Sequence, residues 1–469
     1  MGQPPESMDQ LRKRFAEAGQ EHIFRFWDEI SESERKNLSQ QASSIDLGSI
    51  SDAFSKIQPT EEGLEALIEP PSVLRMPSRG GDPKAWQEAL ERGEQVLAEG
   101  KAAPFVVAGG QGTRLGFSGP KGSFPIGPVS QRSLFELQAQ KIHGLIRRYG
   151  KALPWYVMTS EATDGPTREF FRQEKNFGLS EEDVFFLVQA MNPAIDFEGK
   201  LILETPGKIF ESPNGHGGSL TALLDSGALN DMEARGVETL FYYQVDNPLI
   251  RMCDPAFLGF HALANAEASS KVVCKRNAEE KMGVVARVNG HLGIVEYTEL
   301  DEESSQATDE AGELLYWAGN IAVHLFERQF IERLARNANE LLPLHPSAKK
   351  IPFVDENGKS VAPEASNGYK LERFVFDALP HAASGCVVET ERAEEFSPVK
   401  NASGQDSADT ARIDLVAEYR RWLGALAPGE GGIELDHSVF DGCSDVKTSG
   451  LTEIDDAGEA ILIAAGDLR

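Results

Sequence analysis

The sequence predicts an α/β fold with a mostly parallel mixed sheet, because short apolar strand patterns alternate with helix patterns through its central part. The first of these strands, residues 105–108, runs directly into a glycine-rich loop. Helix patterns precede this strand, and short apolar runs separated by turns follow at the C-terminal end. We therefore predict a helical N-terminal region at 1–98, a central domain at 99–404, and a C-terminal helix with a small β unit at 405–469.

The N-terminal region is predicted to be structural. Apolar residues recur there at helical spacings, and Pro and Gly pairs interrupt them. One helix is expected to begin near Thr60, and another at 86–97 leads into the first central strand. No pattern in this region points to chemistry.

The composition limits the possible partners of this 469-residue chain. A formal net charge of −28 argues against nucleic acid and anionic membranes, but a few basic residues and a metal ion could still hold a nucleotide. The cysteines form no C-x-x-C pair, so neither a zinc site nor a disulfide framework is expected. Because no apolar run approaches ~18 residues, we expect no membrane span. The widely spaced cysteines are expected to be reduced thiols in a cytoplasmic protein.

The loop at residues 108–122 has the composition of a phosphate-binding loop, A-G-G-Q-G-T-R-L-G-F-S-G-P-K-G. Glycines allow positive φ and close approach of a ligand, so that successive N–H groups can face an anion. The first glycines of the loop are Gly109, Gly110 and Gly112. Arg114 and Lys121 add two positive charges, and the spacing fits neither a Walker loop nor a dinucleotide fingerprint. We predict a nucleoside triphosphate loop; the alternative is a glycine-rich turn with solvated basic residues.

The next elements continue the alternation of helices and strands. Ser133 and Glu136 form the sequence pattern of a capping box at the start of a helix. Strands are predicted at 155–158 and 184–188, and Gln189 follows the second of them. Its amide carries both a donor and an acceptor, which suits a pyrimidine edge, although a glutamine in a turn is an equal alternative.

Two further turns stand where a ligand could bind. Residues 212–218, S-P-N-G-H-G-G, form a second glycine-rich turn before a helix. The strand at 240–245 ends at Asp246, and a carboxylate at the carboxyl end of a strand is a reasonable magnesium ligand. Alternatively, Asp246 caps a turn.

The remaining elements are weaker in signal. Asn289-Gly290 predicts a hairpin turn between two strands. Residues 301–312 are polar and acidic and are expected to form a surface loop. The segment at 395–401 could deliver Lys400 over the site. A helix at 408–426 precedes the small β unit, which is predicted from the apolar runs at 433–435 and 460–464.

Several of these segments resemble a known family, the UDP-sugar pyrophosphorylases or UTP:hexose-1-phosphate uridylyltransferases, and most closely its UDP-N-acetylhexosamine branch. The matching segments occur in the order of the family: A-G-G-Q-G-T-R-L-G with P-K-G, V-D-N, G-V-V, V-E-Y, A-G-N-I, K-x-E-x-F-V-F-D and F-S-P-V-K-N. The resemblance implies a Rossmann-like, GT-A-like nucleotide-diphospho-sugar transferase domain.

The resemblance also implies roles for individual residues. The nucleotide would contact Gly109, Gly110, Gly112, Gln189 and Gly215. Phosphates would be held by the catalytic residues Arg114, Lys121 and Lys400. Asp246 would bind Mg²⁺. The sugar would face His216, Gly283, Glu296 and Asn320.

The implied reaction is transfer of uridylyl from UTP to a sugar 1-phosphate, giving a UDP-sugar and pyrophosphate, with N-acetylglucosamine 1-phosphate as the expected acceptor. The N-acetylhexosamine enzymes usually carry Asn where this chain has His216, and histidine there is similar to the UDP-glucose and broad UDP-sugar branches. A glucose 1-phosphate or broad-specificity enzyme is therefore the alternative. The alternative from another class is a catalytically silent regulator that binds UDP-sugars. A small-molecule kinase is opposed by the missing Walker pattern.

Overall fold

The structure, a computed structural model, describes residues 6–57, 67–424, 432–438 and 460–463. The helix start expected near Thr60 and the cysteine Cys443 lie outside these residues. The chain forms two compact units. The smaller unit comprises Met1–Glu65, Gln189–Thr221 and Leu334–Ala378, and the larger unit comprises Ala66–Val188, Ala222–Arg333 and Leu379–Arg469. The three-region division drawn from the sequence stays a prediction.

The helices of the described residues are numbered here in chain order. The α-helices are α1 Met8–Glu17, α2 Glu32–Ser44, α3 Leu47–Ser55, α4 Pro83–Ala98, α5 Leu134–Tyr149, α6 Glu161–Gln173, α7 Gly218–Asp225, α8 Ala228–Arg235, α9 Pro255–Leu263, α10 Glu302–Gln306, α11 Arg328–Arg336, α12 Ala338–Leu341, α13 Arg392–Glu395 and α14 Ala408–Leu423. Short 3₁₀ helices cover Glu21–Phe24, Pro77–Arg79, Thr113–Leu115, Lys121–Ser123, Lys175–Gly178, Glu181–Asp183 and Val375–His381.

The strands follow the same numbering. They are β1 Ile68–Glu69, β2 Val73–Leu74, β3 Ala102–Val107, β4 Trp155–Thr159, β5 Val184–Val188, β6 Met191–Pro193, β7 Ile195–Asp196, β8 Leu203–Thr205, β9 Lys208–Ile209, β10 Glu211–Pro213, β11 Thr239–Gln244, β12 Ala268–Cys274, β13 Val284–Val288, β14 His291–Val295, β15 Ala318–Glu327, β16 His345–Lys349, β17 Phe353–Val354, β18 Ser360–Val361, β19 Gly368–Glu372, β20 Val387–Glu389, β21 Gly432–Leu435 and β22 Ala460–Ile463.

The larger unit is built on one sheet with the order β2-β20-β12-β15-β11-β3-β4-β5. Its neighbours pair in parallel except at β15, which runs antiparallel to both β12 and β11. The hairpin of β13 and β14 joins the sheet through β15. The prediction of an α/β fold with a mostly parallel mixed sheet is therefore confirmed at this level.

Burial explains why the central strands read as continuous apolar runs. Phe105, Val106, Trp155 and Val157 on β3 and β4 are at most 1% exposed. The apolar face of helix α5 packs in one cluster with Val106, Trp155 and Val157. Strands of a parallel sheet are buried on both faces, so both sets of alternating side chains must be apolar. These strands place their carboxyl ends, where ligands bind in such sheets, at one edge.

The smaller unit has its own apolar core and its own short sheets. Leu11 and Phe15 of α1 pack in one cluster with Leu201, Ile209 and Leu371. The pairings within this unit are β16-β19-β7, β10-β6, β17-β18 and β8-β9. The N-terminal helices therefore share their core with two later segments of the chain.

The C-terminal residues of the larger unit agree with the predicted helix and β unit. Helix α14 buries Leu415 and Tyr419 in a cluster with Ile433 and Leu435. Strand β21 pairs in parallel with β22. No described helix is both long enough and apolar enough to cross a membrane.

Two local predictions are corrected. Ser133 caps α5 by accepting from the N–H of Glu136 at 3.1 Å, but the Glu136 carboxylate pairs with Arg132 at 3.0 Å and does not complete a capping box. Residues 301–312 are not entirely loop, since the helix α10 starts after Asp301, whose carboxylate accepts from the N–H of Ser304 at 2.6 Å. An acidic N-cap explains why this polar stretch can form a helical turn.

Candidate functional site

The glycine-rich loop leaves β3 and is fixed at both ends. The carbonyl of Gly109 accepts from the Ser160 hydroxyl at 2.8 Å, at the carboxyl end of the neighbouring strand β4. The carbonyl of Gly110 accepts from the N–H of Lys121 at 3.0 Å. The loop therefore returns to its own start, and Lys121 is held beside the end of β3.

The conformation of the loop corrects one part of the prediction. Gly112 donates its N–H to the carbonyl of Gly119 at 2.9 Å, in a backbone conformation with φ of −79°. Gly116 has a φ of +70° and ends the short helix at Thr113–Leu115. The expectation of positive φ is confirmed at Gly116 and is wrong at Gly110 and Gly112. At Gly112 glycine serves close approach, because a Cβ there would lie 2.7 Å from the Phe117 ring.

The loop nevertheless presents donors to solvent. The backbone N–H groups of Gly110, Gln111 and Thr113 donate to no described residue, and all three residues are exposed. A side chain at Gly110 would meet nothing within 4 Å. Arg114 is exposed and makes no hydrogen bond or ion pair to the described part of the chain. These groups are free to contact an anion, as the sequence predicts.

The predicted phosphate lysine and the predicted metal ligand are in direct contact. Lys121 Nζ lies 2.9 Å from Asp246 Oδ2, and the two side chains are only 17% and 11% exposed. The Asp246 carboxylate accepts from Lys121 and from no backbone N–H among the described residues. Glycine at position 122 allows this approach, because a Cβ there would lie 2.1 Å from the Phe135 ring.

The loop that carries Lys400 is anchored to the same strand end. The carbonyl of Asp246 accepts from the N–H of Val399 at 2.8 Å. The next side chain, Asn247, donates to the carbonyl of Glu395 at 2.7 Å. Lys400 follows Val399 directly and is exposed. The structure therefore brings this predicted phosphate ligand close to Asp246 along the chain path.

A buried ion cluster supports that loop, and sequence reasoning missed it. Lys271 Nζ lies 2.7 Å from Asp254 Oδ2 and also contacts Glu395 Oε1, with all three side chains at most 8% exposed. Burial raises the pKa of the Glu395 carboxyl. Burial acts in the same direction on Asp254 and is the largest single influence. The charges of Lys271 and Arg251 and the hydrogen bonds to the carboxylate together outweigh it and lower the pKa of that carboxyl. The three residues are far apart in sequence, so no local pattern could have found them.

Three predicted sugar-binding residues lie together in the larger unit. The carbonyl of Gly283 accepts from the N–H of Asn320 at 2.8 Å. A Cβ at Gly283 would lie 3.1 Å from Glu296 Oε1, so glycine leaves room for that carboxylate. Asn320 Oδ1 accepts from the N–H of Ala322 at 2.9 Å, which fixes the orientation of its amide.

A bulge in β15 orients Asn320. Lys271 pairs with Val323, but the next residue of β12, Val272, pairs with Asn320. Two residues of β15 are therefore unpaired, and one of them, Ala322, has a φ of +55°. Alanine in the left-handed region is strained, and such strain is typical of functional sites.

The sheet topology places Asn320 and Asp246 at the same edge. Strand β11 runs from Thr239 to Gln244, and its Tyr242 pairs with His324 of the antiparallel strand β15. The start of β15 therefore lies at the carboxyl end of β11, where the glycine loop after β3 also begins.

The smaller unit holds the other predicted residues. Gln189 is 7% exposed and makes no hydrogen bond to a described residue, so both its amide donor and its acceptor remain available. The next carbonyl, that of Ala190, accepts from the N–H of Asn214 at 3.1 Å. Gly215 follows with a φ of +81°, and a Cβ there would lie 2.5 Å from the carbonyl oxygen of Arg373. Gln189 and Gly215 therefore lie at one end of the β6-β10 ladder.

His216 is a neutral imidazole whose tautomer is set by its partners. Its Nδ1 accepts from the N–H of Val375 at 3.1 Å, which leaves the proton on Nε2. Burial lowers the pKa of His216 to about 4, although Asp377 acts against that shift. Phe374 stacks on the His216 ring at 5.3 Å and on His345 at 4.4 Å. The ring therefore presents one donor, Nε2–H.

The predicted residues are thus grouped within each unit. The larger unit holds Gly109, Gly110, Gly112, Arg114, Lys121, Asp246, Gly283, Glu296, Asn320 and Lys400, and the smaller unit holds Gln189, Gly215 and His216. The described residues contain no group of three His, Cys, Asp or Glu side chains arranged to hold a metal. Asp246 is therefore a candidate for a metal that takes its other oxygen ligands from a bound phosphate.

Comparisons with known proteins were made on sequence and on structure. The family described as UTP–glucose-1-phosphate uridylyltransferase matches residues 84–410. The human UDP-N-acetylhexosamine pyrophosphorylase-like protein 1 is 40% identical over 433 residues, 89% of this chain and 85% of that protein. The UDP-N-acetylglucosamine diphosphorylase 2 of Arabidopsis thaliana is 38% identical over 451 residues, 92% of this chain and 86% of that protein.

The solved structures include a similar protein. The uridine diphosphate N-acetylglucosamine pyrophosphorylase from Trypanosoma brucei, in complex with an inhibitor, matches with a TM-score of 0.79 and 27% identity. The match covers 93% of this chain and 94% of that one. Because the family match spans most of the chain and the relatives match over most of both lengths, this chain belongs to the UTP–glucose-1-phosphate uridylyltransferase family of UDP-sugar pyrophosphorylases.

Proposed function

We propose that the protein transfers uridylyl from UTP to N-acetylglucosamine 1-phosphate, giving UDP-N-acetylglucosamine and pyrophosphate. The observation that carries this proposal is the contact between Lys121 and Asp246 at the strand end beside the glycine loop. It combines a phosphate-binding cation with a carboxylate suited to a metal–phosphate complex. The names of the human and Arabidopsis relatives support the N-acetylhexosamine assignment.

The chemistry needs positioning and charge neutralisation, since two polyanions must approach each other. An oxygen of the sugar phosphate attacks the α-phosphorus of UTP in line. The bond from the α-phosphorus to the bridging oxygen of the β-phosphate breaks, and pyrophosphate leaves with that electron pair. Arg114 and the free N–H groups of the loop would hold the triphosphate. Lys121 and Lys400 would stabilise the charge that develops at the α-phosphoryl group.

We also propose Mg²⁺ as the cofactor, with Asp246 as its protein ligand. Magnesium commonly binds through one or two carboxylates together with substrate phosphates, which fits the single buried carboxylate of Asp246. When bound, the ion would neutralise charge on the phosphate oxygens. Lys121 would then have to share or release Asp246. In the absence of metal, the ion pair with Lys121 compensates the negative charge of the Asp246 carboxylate.

The remaining roles follow the same proposal. The larger unit would be a GT-A-like, Rossmann-like nucleotidyltransferase domain, supported by its parallel strands and the loop after β3. Gln189 would hold the uracil edge, since the donor and the acceptor of its buried amide make no hydrogen bond to a described residue. The Nε2–H of His216 would donate to the sugar. The cytoplasmic location also stays a proposal.

The sugar choice is tested by the rate of pyrophosphate release from UTP. N-acetylglucosamine 1-phosphate and glucose 1-phosphate are compared in wild type and in His216→Asn. We expect wild type to prefer the N-acetyl sugar in kcat/KM. A tenfold preference for glucose, ~1.4 kcal/mol, would replace the proposal with the UDP-glucose alternative. A preference that moves further toward the N-acetyl sugar in the variant would show that position 216 sets the choice.

Two lysine variants complete the test. Lys121→Ala should lose ~10²–10³-fold in turnover, the usual effect of removing one contact made to the transition state. Lys151→Ala is the matched control, because Lys151 is exposed and forms no ion pair with the described residues.

If wild type binds UDP-sugars but releases no pyrophosphate with either sugar phosphate, the protein is the silent regulator.

A further inference from the structure

A cavity of about 280 Å³ lies in the larger unit, and none of its lining residues belongs to the glycine loop. Helices α5 and α14 and the segment 249–252 line it. Part of its wall is apolar, with Leu145, Leu249 and the Trp422 ring among the lining side chains. The proposed reaction uses none of these residues.

Two ionisable groups, the half-buried Lys141 and the buried Glu418, line this cavity without forming an ion pair with each other. Lys141 Nζ donates to the carbonyl of Pro248 at 2.6 Å and to that of Ile250 at 2.8 Å, which leaves one N–H of the ammonium. Glu418 is 4% exposed, and its Oε2 has no hydrogen-bond partner among the described residues. An unsatisfied buried carboxyl is costly and calls for a donor.

Further positive charge lines the same cavity. Arg148, Arg251 and Arg421 line it together with Glu394, and all three arginines are exposed. This concentration of cations stands out in a chain with a net charge of −28. Guanidinium groups bind phosphate with matching geometry, so this part of the cavity suits a phosphate group.

We propose that this cavity is a regulatory site for an organic phosphate with an aromatic body and a hydroxyl donor. The phosphate lies against the arginines, the body fills the apolar walls, and the hydroxyl donates to Glu418. The same hydroxyl oxygen accepts the remaining N–H of Lys141. Such a ligand satisfies both buried groups at once.

The titration of the two groups agrees with this arrangement. Burial lowers the pKa of Lys141 to about 8 and raises the pKa of Glu418 to about 8. Each group is thus shifted toward its neutral form. While Lys141 keeps its charge, it has an N–H left to donate to a hydroxyl oxygen, and that hydroxyl can pair with Glu418 in either form.

The cavity is connected to the candidate active site through packed backbone. Lys141 holds the carbonyls of Pro248 and Ile250, two and four residues after Asp246 in the chain. One turn earlier on α5, Gln138 Nε2 donates to the carbonyl of Val245 at 3.0 Å. A ligand that draws Lys141 toward the cavity therefore changes the support of Asp246. The inference of regulation rests on the proposed function, whereas the inference of binding does not.

Binding is measured on the full chain by calorimetry with three probes: inorganic phosphate, phenyl phosphate and 4-hydroxyphenyl phosphate. We expect affinity to rise along this series, with at least a fivefold gain from the hydroxyl. Glu418→Leu removes the acceptor while filling its space with an apolar side chain, so it should fold and lose the gain from the hydroxyl. Arg421→Ala changes an exposed residue and should weaken both aromatic probes at least fivefold.

The controls separate this site from the active site. Lys121→Ala should leave the binding of 4-hydroxyphenyl phosphate unchanged, and loss of binding in that variant would assign the probe to the active site and overturn the proposal. Failure of all probes to bind, or equal binding to wild type and Glu418→Leu, would also overturn it. Saturating 4-hydroxyphenyl phosphate should change wild-type turnover and leave Glu418→Leu less affected. Unchanged wild-type turnover with the site filled would overturn the regulatory role and leave the catalytic proposal standing.

Discussion

Gly122→Ala is expected to uncouple Lys121 from Asp246. A Cβ at position 122 would lie 2.1, 2.2 and 2.6 Å from three atoms of the Phe135 ring. Ordinary contact begins near 3.4 Å, so the ring or the loop must move by about 1.3 Å. The ring is fully buried, with its centroid 4.9 Å from that of Phe171, so the loop moves instead.

That movement exceeds what the 2.9 Å contact between Lys121 and Asp246 can absorb. We expect a loss of ~10²-fold in turnover from a misplacement of this size. Overpacking should also lower the free energy of unfolding by ~1–3 kcal/mol. Pyrophosphate release and denaturant unfolding measure the two effects separately.

Gly165→Ala is the matched control, since a Cβ there meets nothing within 4 Å on the helix α6. It should keep wild-type turnover. Gly122→Ala combined with Phe135→Leu should recover part of the lost rate, because the smaller side chain makes room for the Cβ. Wild-type turnover in Gly122→Ala, or no recovery in the double variant, would refute the reasoning.

Three further outcomes are expected. Asp246→Asn should raise the magnesium concentration that gives half-maximal rate and lower kcat by ~10²–10³-fold; an unchanged magnesium titration would remove it as the metal ligand. Ala322→Gly should stabilise the fold by ~0.5–1 kcal/mol in denaturant unfolding, because glycine relieves the left-handed strain, and a lower midpoint would contradict that strain. Burial lowers the pKa of the His216 imidazole from 6.5 to about 4. Between these two pH values only the unfolded chain binds this proton, so the free energy of unfolding should decrease as the pH drops through that window. His216→Asn keeps Asp377 and His345 in place and should flatten this part of the profile; equal slopes in both proteins would contradict the assignment.

Local patterns in the sequence predicted the local structure well. Strand β5 has the predicted bounds, Val184–Val188. An unbroken run of β-branched and aromatic residues favours a strand at every one of its positions, so the pattern predicts the strand without information from distant segments. The hairpin turn at Asn289-Gly290 is also confirmed, with φ of +51° and +83°. Both features depend on residues within a few positions of each other.

Contacts between distant segments could not be predicted in the same way. The cluster of Lys271, Asp254 and Glu395 joins three segments through buried ion pairs between residues that are far apart in the sequence. The bulge at Ala322 depends on the pairing of β15 with β12 and has no glycine or asparagine to mark it at that position. The sequence named the candidate residues individually, whereas the contact of Lys121 with Asp246 and the tautomer of His216 required coordinates.

The three-segment core of the smaller unit has a consequence for synthesis on the ribosome. The apolar faces of Leu11 and Phe15 pack with Leu371, which is translated far later. At ordinary elongation rates that delay is about 20–70 s. During it the nascent N-terminal helices lack part of their final core, so they are expected to engage holding chaperones until the last segment emerges.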